Sequence, residues 1–106
     1  MSYRFMRIIV MFDLPTETPE ERRNYRNFRK KLIKNGFFMM QESIYVKISI
    51  NAAACEEVII KLKKIRPESG LVQILQVTER QFEKMEFLVG KPQSGVLSTD
   101  ERVVIL

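Results

Sequence analysis

An α+β fold of the ferredoxin-like βαββαβ type, with a C-terminal strand extension, is what this sequence predicts. Three observations point there. Short runs rich in Ile, Val and Phe read as strands, two longer segments carry apolar residues at helical spacing, and their order is strand, helix, strand, strand, helix, strand. A chain of 106 residues is the size of one domain. Such a chain buries roughly two-thirds of its unfolded surface, enough for a single core. With 45% hydrophobic and 29% charged residues, the composition is globular rather than disordered. We therefore take residues 1–106 as a single domain, with 79–106 as its extension.

Residues 4–13 read as the first strand, which Pro15 stops. Thr18-Pro19-Glu20-Glu21 is a helix start: Thr18 caps, Pro19 suits the first helical position and Glu21 completes a capping box. The helix should run to about Asn35, with Gly36 as a left-handed stop and Tyr25, Phe28, Leu32 and Ile33 as its buried stripe. Residues 37–40 and 44–50 read as strands, joined through Gln41-Glu42-Ser43 by a short connection or a bend in one long ribbon. Asn51 caps a second helix over 52–66, with Cys55, Val58, Ile59, Leu62 and Ile65 inward. After the turn Pro67-Glu68-Ser69-Gly70 comes a strand over 71–78, one helical turn over 79–85 and a short strand over 86–89. Residues 90–100 read as a loop and 102–106 as a terminal strand.

Composition excludes several chemistries. Without histidine there is no histidine base and no His-liganded zinc, and the single Cys55 allows no internal disulfide. No GxGxxG or Walker motif is present. The apolar run 8–12 is far shorter than the roughly 20 residues a membrane-spanning helix needs, and Asp13 directly after it argues against a signal peptide. We expect no membrane association and a cytoplasmic location.

That same run is apolar at five consecutive positions, so both faces of its strand are apolar. The helices can cover only one. Either the extension folds back over the other face or a second copy packs sheet to sheet. A homodimer is the expectation.

Charge is uneven. The net +5 belongs to residues 1–50, where ten bases face five acids, and seven of those bases fall between Arg22 and Lys34. Arg22, Arg26 and Arg29 line one flank of the first helix, and Arg23, Lys30 and Lys34 the other. Only Glu20 and Glu21 oppose them, so we expect a polyanion-binding, nucleic-acid-contacting surface. Asp13 ends an apolar strand beside a loop, where its carboxylate could serve Mg²⁺ or catalysis. A two-fold axis would bring two copies of it together. Ser43 and Tyr45 alternate with Ile44, so a hydroxyl and a phenol could reach phosphate, although ordinary strand patterning explains them as well.

Met11-Phe12-Asp13-Leu14-Pro15, the Arg-rich helix from Thr18, Gly36-Phe37 and Gln41-Glu42-Ser43-Ile44-Tyr45, in this order and spacing, resemble the CRISPR-associated Cas two family. Met1-Ser2-Tyr3-Arg4 and the closing Arg102-Val103-Val104-Ile105-Leu106 look most like members from type II systems. The resemblance implies a ferredoxin-like homodimer with late strands, here within 79–106, crossing to a partner. It implies a role in spacer acquisition, bridging subunits of the CRISPR integrase and holding duplex prespacer DNA by its backbone. It also implies, as the alternative, a Mg²⁺-dependent endonuclease acting on RNA or DNA, with Asp13 from both protomers as metal ligand and catalytic residue and single-stranded RNA among its partners. Phe12 stands where many members carry Tyr, and 37–40 are apolar where some carry a base. Both departures weigh toward the structural role.

Overall fold

The computed structural model describes residues 5–91. Four strands and three helices follow in the order β1 (Met6–Asp13), α1 (Pro19–Lys34), β2 (Phe38–Gln41), β3 (Ile44–Ser49), α2 (Ala52–Ile65), β4 (Leu71–Thr78) and α3 (Glu79–Glu83). The sheet order is β2-β3-β1-β4 and every pairing is antiparallel. This is the expected ferredoxin-like arrangement, with the most apolar strand, β1, held between two neighbours.

Helix boundaries follow local chemistry. At α1 the Glu21 N–H donates to Thr18 Oγ1 (3.1 Å) and the Thr18 N–H donates to Glu21 Oε1 (3.0 Å), the reciprocal box expected from the sequence. Its far end closes as a Schellman motif: Gly36 N–H donates to Ile33 O and Phe37 N–H to Leu32 O, both at 3.0 Å, with Gly36 at φ +92°. That closure turns Phe37 into the core instead of into a strand, so β2 starts one residue later than expected. Asn51 Oδ1 accepts from Ala54 N–H (2.8 Å) to start α2. Thr78 and Gln81 form a second capping box at α3, not expected from the sequence.

The register sets the two faces. Ile8, Val10 and Phe12 of β1 point toward α1 and α2 and join Tyr45, Phe28, Leu32, Phe37, Cys55 and Leu62 in the main core. Phe12 is its aromatic hub, edge-on to Phe28 (5.1 Å), tilted to Tyr25 (5.5 Å) and stacked on Tyr45 (5.8 Å). The intervening residues Ile9 and Met11 face the other way. There Ile9 and Val46 are covered by Phe82 of α3, with Met11, Met40, Ile44, Val77 and Met85 around them. The start of the extension thus folds back onto its own sheet. It covers only part of that face: Phe38, Leu71 and Leu75, which by register lie on the same side, stay exposed.

Two expectations are corrected. Ile33 is 46% exposed and not part of the α1 stripe, because one residue beyond Leu32 a helix turns about 100° away from the core. Residues 86–89 form no strand: they have no sheet edge beside them among the described residues, and Leu88 and Val89 are exposed. Of the two alternatives for the link between β2 and β3, the short connection is found: a tight hairpin through Glu42 and Ser43, with Ser43 at φ +67° and a register irregularity between Met39 and Gln41. The expected terminal strand over 102–106 and most of the loop over 90–100 lie outside the described residues.

Candidate functional site

Asp13 sits at the last position of β1, paired in register with Leu71 of β4. Its face alternates with that of Phe12, so while Phe12 enters the core, Asp13 is exposed on the side of Ile9 and Met11. Its backbone is held from behind. A Cβ on Gly70, which has φ +94°, would lie 2.5 Å from Leu14 Cδ2 and 3.1 Å from the Asp13 carbonyl oxygen. Gly70 therefore permits the close approach of the turn before β4 to the Asp13-Leu14 corner.

Asp13 opens into a depression of about 420 Å³ lined by Leu14, Thr16, Arg22, Tyr25, Arg26, Glu42 and Ser43. Three elements of the chain meet here: the end of β1, the first turns of α1 and the β2–β3 hairpin. Tyr25 OH and Ser43 Oγ share a hydrogen bond (3.0 Å) that ties α1 to the hairpin. Arg22 Nη1 donates to the carbonyls of Thr16 (3.1 Å) and Glu17 (2.9 Å), so this arginine also shapes the loop that frames the depression. The result is one or two carboxylates beside guanidinium groups, an arrangement that can hold a phosphodiester by its oxygens and offer a hard cation oxygen ligands. Among the described residues no three acidic, Cys or His side chains gather to form a metal cluster.

The other sequence-predicted residues separate. Arg23, Arg29 and Lys30 are exposed along α1 and line no cavity with Asp13. Lys34 lies at the far end of α1. Among the described residues no carboxylate comes within ion-pair distance of any α1 base, so the helix is an uncompensated basic ridge. Tyr45 does not reach phosphate with Ser43: it is 1% exposed, inside the main core. Ser43 left strand alternation when it entered the turn. Glu42 and Tyr25 were not singled out for the site: the hairpin brings Glu42 to Asp13, and the packing of α1 brings Tyr25.

A second polar feature was also missed. Arg7 and Glu79 form a buried two-point ion pair, Nε to Oε1 at 2.6 Å and Nη2 to Oε2 at 3.0 Å, while the Arg7 guanidinium lies 4.5 Å from the Phe82 ring centroid. It joins β1 to α3. The signal was available in part, since Arg7 stands at an alternate position of an otherwise apolar strand. Cys55 is buried, which pushes its thiol above the ordinary range. A hydrogen bond with Ser49 offsets part of that, and the nearby Glu56 charge adds to it.

Among the described residues no helix is long and apolar enough to cross a membrane. Residues 6–85 match the family model described as CRISPR associated protein Cas2. A relative from Treponema denticola, named CRISPR-associated endoribonuclease Cas2, is 48% identical over 101 residues, covering 95% of this chain and all of the relative. A relative of the same name from Streptococcus mutans UA159 is 45% identical over 101 residues, covering 95% of this chain and 93% of the relative. A solved structure described as "Crystal structure of cas2" superposes with TM-score 0.56 at 26% identity, over 87% of this chain and 94% of that one. An Asp-terminated central strand, an Arg-rich first helix and a four-stranded antiparallel sheet thus coincide with matches along most of the chain, and the chain belongs to the Cas2 family of CRISPR-associated proteins.

Proposed function

We propose that the chain acts in CRISPR spacer acquisition as a homodimeric scaffold in the cytoplasm, bridging integrase subunits and holding prespacer duplex DNA through its backbone. The observation that carries this reading is the uncompensated basic ridge of α1. Seven bases between Arg22 and Lys34 meet no carboxylate partner among the described residues, which suits phosphate contacts without sequence readout. The exposed apolar side chains Phe38, Leu71 and Leu75 beside α3 support a second copy packing on the open sheet face. The test is duplex binding against salt concentration. Arg26→Ala with Arg29→Ala should flatten the log–log slope by about one unit per lost contact, while an unchanged slope moves the DNA surface off α1.

A second reading is a Mg²⁺-dependent endonuclease, favoured by the Asp13 depression and by the endoribonuclease name of the relatives. The donors fit Mg²⁺ in kind: the Asp13 and Glu42 carboxylates and the Ser43 hydroxyl are hard oxygen ligands, and Mg²⁺ needs only one or two carboxylates beside water and phosphate. Asp13 from a second protomer would complete a shared set. When bound, Mg²⁺ supplies Lewis acidity and a more acidic water. Arg22 and Arg26 would hold the phosphodiester, duplex DNA or single-stranded RNA, against that set. Asp13→Asn should abolish Mg²⁺-dependent cleavage and leave the duplex-binding salt slope intact. Equal cleavage by both proteins removes Asp13 from any catalytic role.

A further inference from the structure

At the opposite end of α1 from Asp13 is a cavity of about 320 Å³ lined by Lys34, Asn35, Gly36, Phe37, Lys47, Val58, Lys61 and Leu62. Three separate elements each send one lysine to it: α1 sends Lys34, β3 sends Lys47 and α2 sends Lys61. No acidic residue lines it, and no carboxylate pairs with these lysines among the described residues. Three ammonium groups around one concavity repel each other, and an anion relieves that repulsion.

Lys47 is the built part of the site. It is partly buried, and its Nζ donates to the Asn35 carbonyl at 2.7 Å. That contact satisfies the C-terminus of α1 and fixes the ammonium in place, leaving two of its three N–H donors. Gly36, whose φ of +92° favours glycine, also leaves this ammonium undisturbed: a Cβ there would stand 2.8 Å from Lys47 Nζ and displace it. Phe37, Val58 and Leu62 supply an apolar floor that limits competing water.

We propose that this pocket binds a phosphate group, held by Lys34, Lys47 and Lys61. It is separate from the Asp13 depression. Twelve residues of α1 part Arg22 from Lys34, about 18 Å at helical rise. A duplex lying with its axis along the helix, its phosphates rising about 3.4 Å along that axis per strand, would cover that span in roughly five steps. A free phosphate offers the same chemistry, so the site does not depend on the duplex-binding reading.

The test follows the backbone amide NMR signals of Gly36 and Lys47 at constant ionic strength, titrated first with inorganic phosphate and then with a duplex oligonucleotide of arbitrary sequence. Sodium chloride serves as control. The expected result is a saturable shift that Lys34→Ala and Lys61→Ala, both at exposed positions, each weaken about tenfold, as for one charge-assisted hydrogen bond. Saturation with inorganic phosphate identifies a free phosphate as sufficient, and saturation with the oligonucleotide alone identifies the nucleic-acid backbone as the source. The proposal is overturned by no saturable shift in either titration, by the same shift in chloride, or by unchanged affinity in both variants. If the oligonucleotide shifts the α1 arginine residues and neither Gly36 nor Lys47, duplex binding stands and this pocket is not part of it.

Discussion

Removing one side of the Arg7–Glu79 pair should cost this protein more than any surface charge it carries. Arg7 is 4% exposed and Glu79 7%, and the two hydrogen bonds at 2.6 and 3.0 Å satisfy both carboxylate oxygens. Glu79→Ala takes this two-point carboxylate away from a guanidinium buried between the sheet and the Phe82 ring. Breaking a buried pair in this way costs about 3–5 kcal/mol, against about 0–1 for an exposed pair. For a domain of this size each kcal/mol lowers Tm by about 4–8 °C, so a fall of at least about 12 °C is expected. Urea unfolding at fixed protein concentration, with ΔG from midpoint and slope, is the assay. Replacing both residues, Arg7→Met with Glu79→Met, removes the buried guanidinium as well and should recover much of the loss. A single variant that costs under about 1 kcal/mol, or a double variant as costly as the two singles together, would refute the claim that this pair is desolvated and mutually dependent. Because the pair pins α3 to β1, its loss should also loosen the cover that Phe82 places over Ile9 and Val46.

Three further outcomes are expected. Sedimentation at micromolar concentration should give about twice the 12.5 kDa chain mass, and a monomer that binds no hydrophobic dye would show the open sheet face to be adequately covered by α3. Gly70→Ala should cost about 1–2 kcal/mol for its left-handed backbone. It should add about 1–3 kcal/mol for pressing on Leu14 and the Asp13 carbonyl, read by urea unfolding, and no loss would mean the corner is not held from behind. Cys55 should resist alkylation in the folded protein at mildly alkaline pH and react on unfolding. Since folding raises its pKa, the native state holds the proton longer. Its contribution to stability is then full below the ordinary thiol pKa and declines as pH rises through the raised one, and rapid native-state labelling would contradict this.

Much of the architecture was legible from contiguous residues. Thr18 through Glu21 started α1 and Gly36 ended it, because caps and left-handed stops act within one helical turn. Period-two and helical patterning located β1, β3, α2 and β4 to within about two residues, and the order of these elements pointed to the ferredoxin-like sheet. The strand-end position of Asp13 and the exposure of the α1 bases were equally local, since each depends only on which side of its own element a residue occupies.

Tertiary structure decided what those side chains meet. Arg7 and Glu79 are 72 residues apart, and only the pairing of β1 with β4 puts α3 over that end of β1. Glu42 reaches the Asp13 depression because Ser43 turns the hairpin with a positive φ, Tyr25 reaches it from the first turns of α1, and the same hairpin leaves Tyr45 in the core beside Phe12. Lys34, Lys47 and Lys61 look like three ordinary charges until α1, β3 and α2 close around Gly36. The physical reason is the same in each case. Propensities and caps are short-range and act through the chain's own neighbours, whereas a site is a set of distances between elements, set by sheet register and core packing over the whole domain.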